Sequence, residues 1–118
     1  MARVLVADDE DGVLKLIRAT LESAGHEVVT AVDGHEALKT GLARDFDLYI
    51  LDVKMPHLDG YSLSLSITKR FPSRKVVLVT GLDTQKYEVM IKACGASGTI
   101  PKPFDSAEFM KQISKFLP

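Results

Sequence analysis

The feature that most constrains this chain is a rhythm. Short apolar clusters rich in Val, Ile and Leu alternate with longer stretches whose apolar residues recur at helical spacing. That is the pattern of βα units wound around a parallel sheet, because each parallel crossover needs a helix and each central strand is covered on both faces. Strands are predicted over Arg3–Ala7, Glu27–Ala31, Asp47–Leu51, Lys75–Val79 and Gly98–Ile100, with helices between and after them. Five such units account for all 118 residues, so residues 1–118 read as one α/β domain with no linker, repeat or low-complexity stretch.

The helices carry their own punctuation. The first places Leu14, Ile17, Leu21 and Ala24 on one stripe and stops at Gly25. The second opens with Asp33 and Glu36 at capping-box spacing, and the fifth repeats that signal with Asp105 and Glu108 ahead of Phe109, Ile113 and Phe116. In the fourth, Cys94 falls at helical spacing from Tyr87, Met90 and Ile91 and reads as a small core hydrophobe. The third is the ambiguous one: Tyr61-Ser62-Leu63-Ser64-Leu65-Ser66-Ile67 alternates with period two, the signature of a strand. The preceding Asp59-Gly60 turn, the Thr68-Lys69-Arg70-Phe71 continuation and the βαβ rhythm favour a helix there, although three serines weaken it.

Charge and cysteine content exclude several classes. Fifteen Lys plus Arg against sixteen Asp plus Glu leave a net charge of −1, so no basic field draws the chain onto nucleic acid or an anionic membrane. The single cysteine cannot form an internal disulfide, and the apolar stretch Val4–Ala7 is too short for a signal-peptide core or a membrane span, so a cytoplasmic setting is expected. His26, His35 and His57 lack ligand spacing and read as surface or turn residues.

Chemistry is expected at the carboxyl ends of the strands, where an open α/β sheet leaves its crevice. There the chain places Asp8-Asp9-Glu10-Asp11, Asp52, Thr80-Gly81 and Lys102-Pro103. Glu10 and Asp11 read as solvated acids complementing a helix dipole. Asp8, Asp9 and Asp52 are different, because each follows or closes an apolar strand. Carboxylates about 5 Å apart at an effective dielectric of about 20 repel by roughly 3 kcal/mol per pair. Three pairs approach the whole stability of a domain, about 5–15 kcal/mol. Either protons or a dication must relieve that repulsion, and an all-oxygen, carboxylate-rich site suits Mg²⁺. A hard cation, a carboxylate nucleophile, a lysine and a threonine hydroxyl together make a phosphoryl-transfer site.

These motifs, in this order, are also those of a known family. Asp8-Asp9 after strand one, Leu51-Asp52-Val53-Lys54-Met55-Pro56 with Asp59-Gly60 after strand three, Thr80 after strand four and Lys102-Pro103-Phe104 after strand five are in register. Along essentially its whole length the chain resembles a response-regulator receiver domain. The resemblance implies a flavodoxin-like (βα)5 fold, a five-stranded parallel sheet of order 2-1-3-4-5 with helices on both faces. It implies that Asp52 accepts a phosphoryl group from a phosphohistidine of a histidine kinase or phosphotransfer protein. Asp9 would bind Mg²⁺ directly, Asp8 mainly through water, and the Asp52 carboxylate and Lys54 backbone carbonyl would complete the protein ligands. Lys102 and Thr80 would hold phosphoryl oxygens, and the Lys102-Pro103 bond would be cis. Turnover would be confined to the chain's own phosphorylation and slow dephosphorylation, so it is a signalling phosphoacceptor rather than an enzyme. The face of helix four, strand five and helix five would then switch for a downstream protein, an output domain or a second copy. Because the receiver fills the 118 residues, the expected output of this stretch is a change of surface.

Two positions depart from the family pattern. Thr99 stands three residues before Lys102, where receivers usually carry Tyr or Phe, so coupling is expected through the loop after strand four, from Gly81 toward Tyr87. Lys54, two residues after Asp52, is a long cation expected to shield an acyl phosphate. The Thr99 departure also keeps a second reading open, a docking module that works without phosphorylation. Other classes fit poorly. A flavodoxin-type electron carrier needs a Ser/Thr/Gly-rich phosphate loop where this chain has acids. A haloacid-dehalogenase-type phosphatase has a second Asp at the position of Lys54, and no Walker glycine loop supports NTP hydrolysis.

Overall fold

The computed structural model describes every residue except Leu82 and Thr84. The expected route from the fourth strand to the fourth helix runs through these two positions, so that part of it lies outside the described residues. In chain order the elements are β1 (Arg3–Ala7), α1 (Asp11–Ser23), β2 (Glu27–Ala31), α2 (Gly34–Ala43), β3 (Leu48–Asp52), α3 (Gly60–Arg70), β4 (Lys75–Thr80), α4 (Glu88–Ala93), β5 (Gly98–Pro101), α5 (Ser106–Ile113) and a closing 3₁₀ turn at Ser114–Phe116. The five strands are parallel in the order β2-β1-β3-β4-β5, as the resemblance implies.

Period-two alternation within the strands sorts the core into two layers. Val4 and Val6 of β1, Leu48 and Ile50 of β3, and Val77 and Val79 of β4 pack with Leu14, Ile17 and Leu21 of α1 and Phe109 and Ile113 of α5. Their neighbours in sequence, Leu5, Tyr49, Leu51, Val76 and Leu78, point the other way onto Ala37, Leu63, Ile67 and Cys94. Full burial of each such side chain contributes about 1.5–3 kcal/mol. Every residue of β3 is buried, which explains why its sequence does not alternate between apolar and polar.

Helix ends follow the predicted signals closely. Gly25, at φ 90°, terminates α1: its N–H donates to the Glu22 carbonyl and that of His26 to Leu21, the paired bonds of a Schellman motif. Asp105 and Glu108 form a complete capping box on α5. On α2 the box is half made, with Asp33 accepting from the Glu36 N–H. The residues 61–67 are helical despite their alternation, because helix packing reads them at a different period. Leu63, Ser64 and Ile67 face the core while Leu65 is exposed, and the buried Ser64 hydroxyl donates to the Cys94 carbonyl at 2.9 Å.

Three expectations need adjustment. β3 lies one residue further along, taking in Asp52 and leaving Asp47 outside, where the Asp47 carboxylate accepts from the Arg3 N–H and pairs with Arg74. β4 and β5 each gain a residue, Thr80 and Pro101. Cys94 is buried as predicted, but α4 itself buries nothing and Met90 is exposed, so the stripe drawn from Tyr87 through Met90 is only partly a core face. Among the described residues no helix is long and apolar enough to cross a membrane.

Candidate functional site

Parallel register brings the strand ends level. Ala7 lies opposite Leu51, Asp52 opposite Val79 and Thr80 opposite Pro101. Asp8, Asp52, Thr80 and Lys102, each closing a strand or one residue past it, therefore meet at one edge of the sheet. A pocket of about 430 Å³ opens there, lined by Asp9, Glu10, Asp52, Lys54, Thr80, Gly81 and Lys102. Gly60 makes this packing feasible: a Cβ there would sit 2.4 Å from the Asp52 carbonyl oxygen, and its N–H donates to the Val53 carbonyl at 2.9 Å. The Lys102–Pro103 peptide is cis, as the resemblance implies.

Lys102 is the hub of the charges. Its Nζ lies 2.9 Å from Asp8 Oδ2, 2.9 Å from Glu10 Oε1 and 3.4 Å from Asp52 Oδ1. The Asp8 and Asp52 side chains are buried, with 2% and 6% of their surface exposed, whereas that of Glu10 is 63% exposed. Burial lowers the proton affinity of Lys102, but its contacts with Asp8 and Glu10 and the charge of Asp52 outweigh this and raise its pKa. Asp52 is pushed up to about 7, first by burial and then by the Asp8 charge, with Lys102 pulling the other way. Burial beside a second carboxylate, with a lysine in contact, is the kind of environment that shifts the carboxyls of functional pockets.

One ammonium does not balance the acids around it. Carboxylate oxygens of Asp8, Asp9, Glu10 and Asp52 all lie within 4.8 Å of one another. Asp8 Oδ1 accepts from the Glu10 N–H at 2.9 Å, and buried Oδ2 faces the Lys102 ammonium, also at 2.9 Å. Four clustered carboxylates facing one ammonium make an all-oxygen donor set, which fits a hard dication such as Mg²⁺ better than a softer metal.

Every site residue predicted from the sequence falls at this edge. Asp8 and Asp52 are buried at its floor, Thr80 is buried in its wall, and Asp9, Lys54 and Lys102 line its mouth. Glu10 is the residue that sequence reasoning misplaced. It precedes α1 and stays largely exposed as expected, but its carboxylate also reaches back to Lys102, 92 residues away in sequence. The available signal was its adjacency to Asp8-Asp9; the partner is set by β5. Asp11 behaves as read, exposed and paired with Lys15 at 2.9 Å.

Comparison with known proteins gives the same picture. The response regulator receiver domain family matches residues 4–114. The alkaline phosphatase synthesis transcriptional regulatory protein PhoP of Bacillus subtilis is 32% identical over 115 residues, 98% of this chain and 48% of that protein. Response regulator PleD of Caulobacter vibrioides is 36% identical over 118 residues, 95% of this chain and 25% of that protein. The chain thus spans half or less of the length of these relatives. The chemotaxis protein CheY4 of Vibrio cholerae superposes with a TM-score of 0.92 at 32% identity, covering 99% of both chains. The response regulator TrrA of Thermotoga maritima, solved in complex with Mg²⁺ and BeF, does so at 0.88 and 32% identity, covering 99% of this chain and 100% of that one. With the parallel order β2-β1-β3-β4-β5 and the acidic edge it carries, the chain belongs to the response regulator receiver domain family.

Proposed function

We propose that this receiver is a phosphoacceptor whose reacting group is Asp52. An Asp52 carboxylate oxygen attacks the phosphorus of a phosphohistidine on a histidine kinase or phosphotransfer protein. The P–N bond breaks, the imidazole keeps the electron pair and takes a proton from solvent, and an acyl phosphate forms on Asp52. The observation that carries this reading is the placement of a buried carboxyl, displaced to about 7, 3.4 Å from a lysine ammonium and within a cluster of further carboxylates.

Each neighbour has a task in that reading. Asp8, Asp9, Asp52 and the Lys54 backbone carbonyl would hold Mg²⁺, which when bound would supply positive charge against the phosphoryl oxygens. Lys102 exchanges its contact with Asp52 for a phosphoryl oxygen, and the Thr80 hydroxyl donates to another. The chain's own turnover is its phosphorylation and slow dephosphorylation, in a cytoplasmic setting. Output is a change on the face of α4, β5 and α5, read by a downstream protein, an attached output domain or a second copy. The exposed Val89 and Met90 of α4 support that choice of face.

Intact-mass spectrometry after incubation with acetyl phosphate and Mg²⁺ tests the assignment. The wild type gains the mass of one phosphoryl group, while Asp52→Asn, or the wild type in EDTA, gains none. Equal uptake by Asp52→Asn would move the acceptor elsewhere. No uptake by any form favours the docking module that works without phosphorylation.

A further inference from the structure

We propose that His35 and His57 form a two-histidine site for a transition-metal dication of the Zn²⁺, Ni²⁺ or Cu²⁺ class, separate from the acidic pocket. His35 is the second residue of α2 and His57 lies in the loop between β3 and α3. Their ring centroids are 5.1 Å apart and tilted by 31°, and both side chains are exposed. Two imidazoles bound through nitrogen to one tetrahedral metal, at about 2.0–2.1 Å each, hold their centroids roughly 5 Å apart. The two ring centroids already have that separation.

Backbone contacts, not only side-chain rotamers, set this pairing. The Gly34 N–H donates to the Pro56 carbonyl at 3.4 Å, and a Cβ on Gly34 would lie 2.1 Å from the Leu58 carbonyl oxygen, so the start of α2 and the loop touch directly. His57 has φ 72°, the one positive value at a non-glycine among the described residues, and the Leu58 N–H donates across it to the Pro56 carbonyl at 2.8 Å. That is a γ-turn of the strained, positive-φ kind. It turns the His57 ring back onto α2. A metal spanning the rings would cross-link α2 to the loop that follows Asp52 and hold the strained turn in place.

Ligand chemistry separates this site from the acidic one. Imidazole nitrogen suits Zn²⁺, Ni²⁺ and Cu²⁺, whereas Mg²⁺ prefers the all-oxygen cluster. With two protein ligands the remaining positions stay open to water or to a donor from another molecule.

The test is a calorimetric titration of the untagged chain with Ni²⁺ in saturating Mg²⁺, alongside histidine NMR. One Ni²⁺ per chain is expected, with the His35 and His57 imidazole resonances broadened together and that of His26 sharp. His35→Gln and His57→Asn should each weaken binding by at least what losing an outer-shell partner costs, about 10–100-fold. Asn is chosen at position 57 because it tolerates positive φ, and unchanged amide spectra will confirm that the variants fold. Asp52→Asn should bind Ni²⁺ as the wild type does. Binding that survives both histidine substitutions, broadening of a single ring, or loss of binding in Asp52→Asn would each overturn the proposal.

Discussion

Two neighbouring units, β3–α3 and β4–α4, hold their helices very differently. α3 runs for 11 residues, starts on Asp59, whose carboxylate accepts the Ser62 N–H at 2.9 Å, and buries Gly60, Leu63, Ser64 and Ile67. α4 has six residues, no side-chain cap and no buried residue, and its Val89 is 80% exposed. Its tether is at the far end, where Cys94 is buried and its carbonyl accepts from Ser64 at 2.9 Å and Thr68 at 3.3 Å. Few buried apolar contacts mean a low free energy of local opening. The loop that follows Asp52 thus runs into a well-seated helix, while the helix beyond Thr80 buries no residue fully and packs on the core through the partly buried Ile91 and the adjoining Cys94.

Core substitutions should expose the contrast most strongly. Ile67→Ala in α3 removes a fully buried side chain and is expected to cost about 2–5 kcal/mol in urea denaturation. Val89→Ala in α4 should stay within about 0.5 kcal/mol of wild type. Comparable losses at the two positions would break the comparison.

The next largest effect concerns charge. Asp52 is displaced from 3.8 to about 7, so between those values the folded chain retains a proton that the unfolded chain has released. Stability from this group is fully present below 3.8 and is lost as pH rises through about 7. In EDTA, raising the pH from 5 to 8 should therefore cost the wild type about 2–3 kcal/mol more than Asp52→Asn, which cannot ionise. Parallel pH profiles for the two proteins would show that the pocket does not disfavour the Asp52 charge. A smaller loss is expected at the tether. Ser64→Ala should cost about 1 kcal/mol, since Thr68 still serves the Cys94 carbonyl, and should speed amide exchange in α4 more than in α3.

Much of this arrangement was legible in the sequence, because it rests on patterns confined to single segments. Five apolar clusters gave five strands, Gly25 and Asp105 marked helix ends, and acids at successive strand ends gave the floor of the pocket. What escaped depends on contacts between segments. Ser64 counted only against helix propensity because its partner, the Cys94 carbonyl, lies 30 residues away. Glu10 looked like a helix acid because Lys102 arrives from the opposite end of the chain. His35 and His57 lack ligand spacing in sequence and meet only through the backbone contact of Gly34 with the loop. The exposure of Met90 follows from the shortness of α4, which helical spacing alone does not disclose.

The most direct test of the difference between the two units compares backbone amide chemical shifts of the Mg²⁺-loaded chain with and without beryllofluoride as a phosphoryl mimic. The account predicts large changes at Asp52, Thr80, Gly81 and along α4, with Leu63 and Ile67 of α3 nearly unmoved. Changes confined to the β3–α3 loop and α3, with α4 silent, would contradict it.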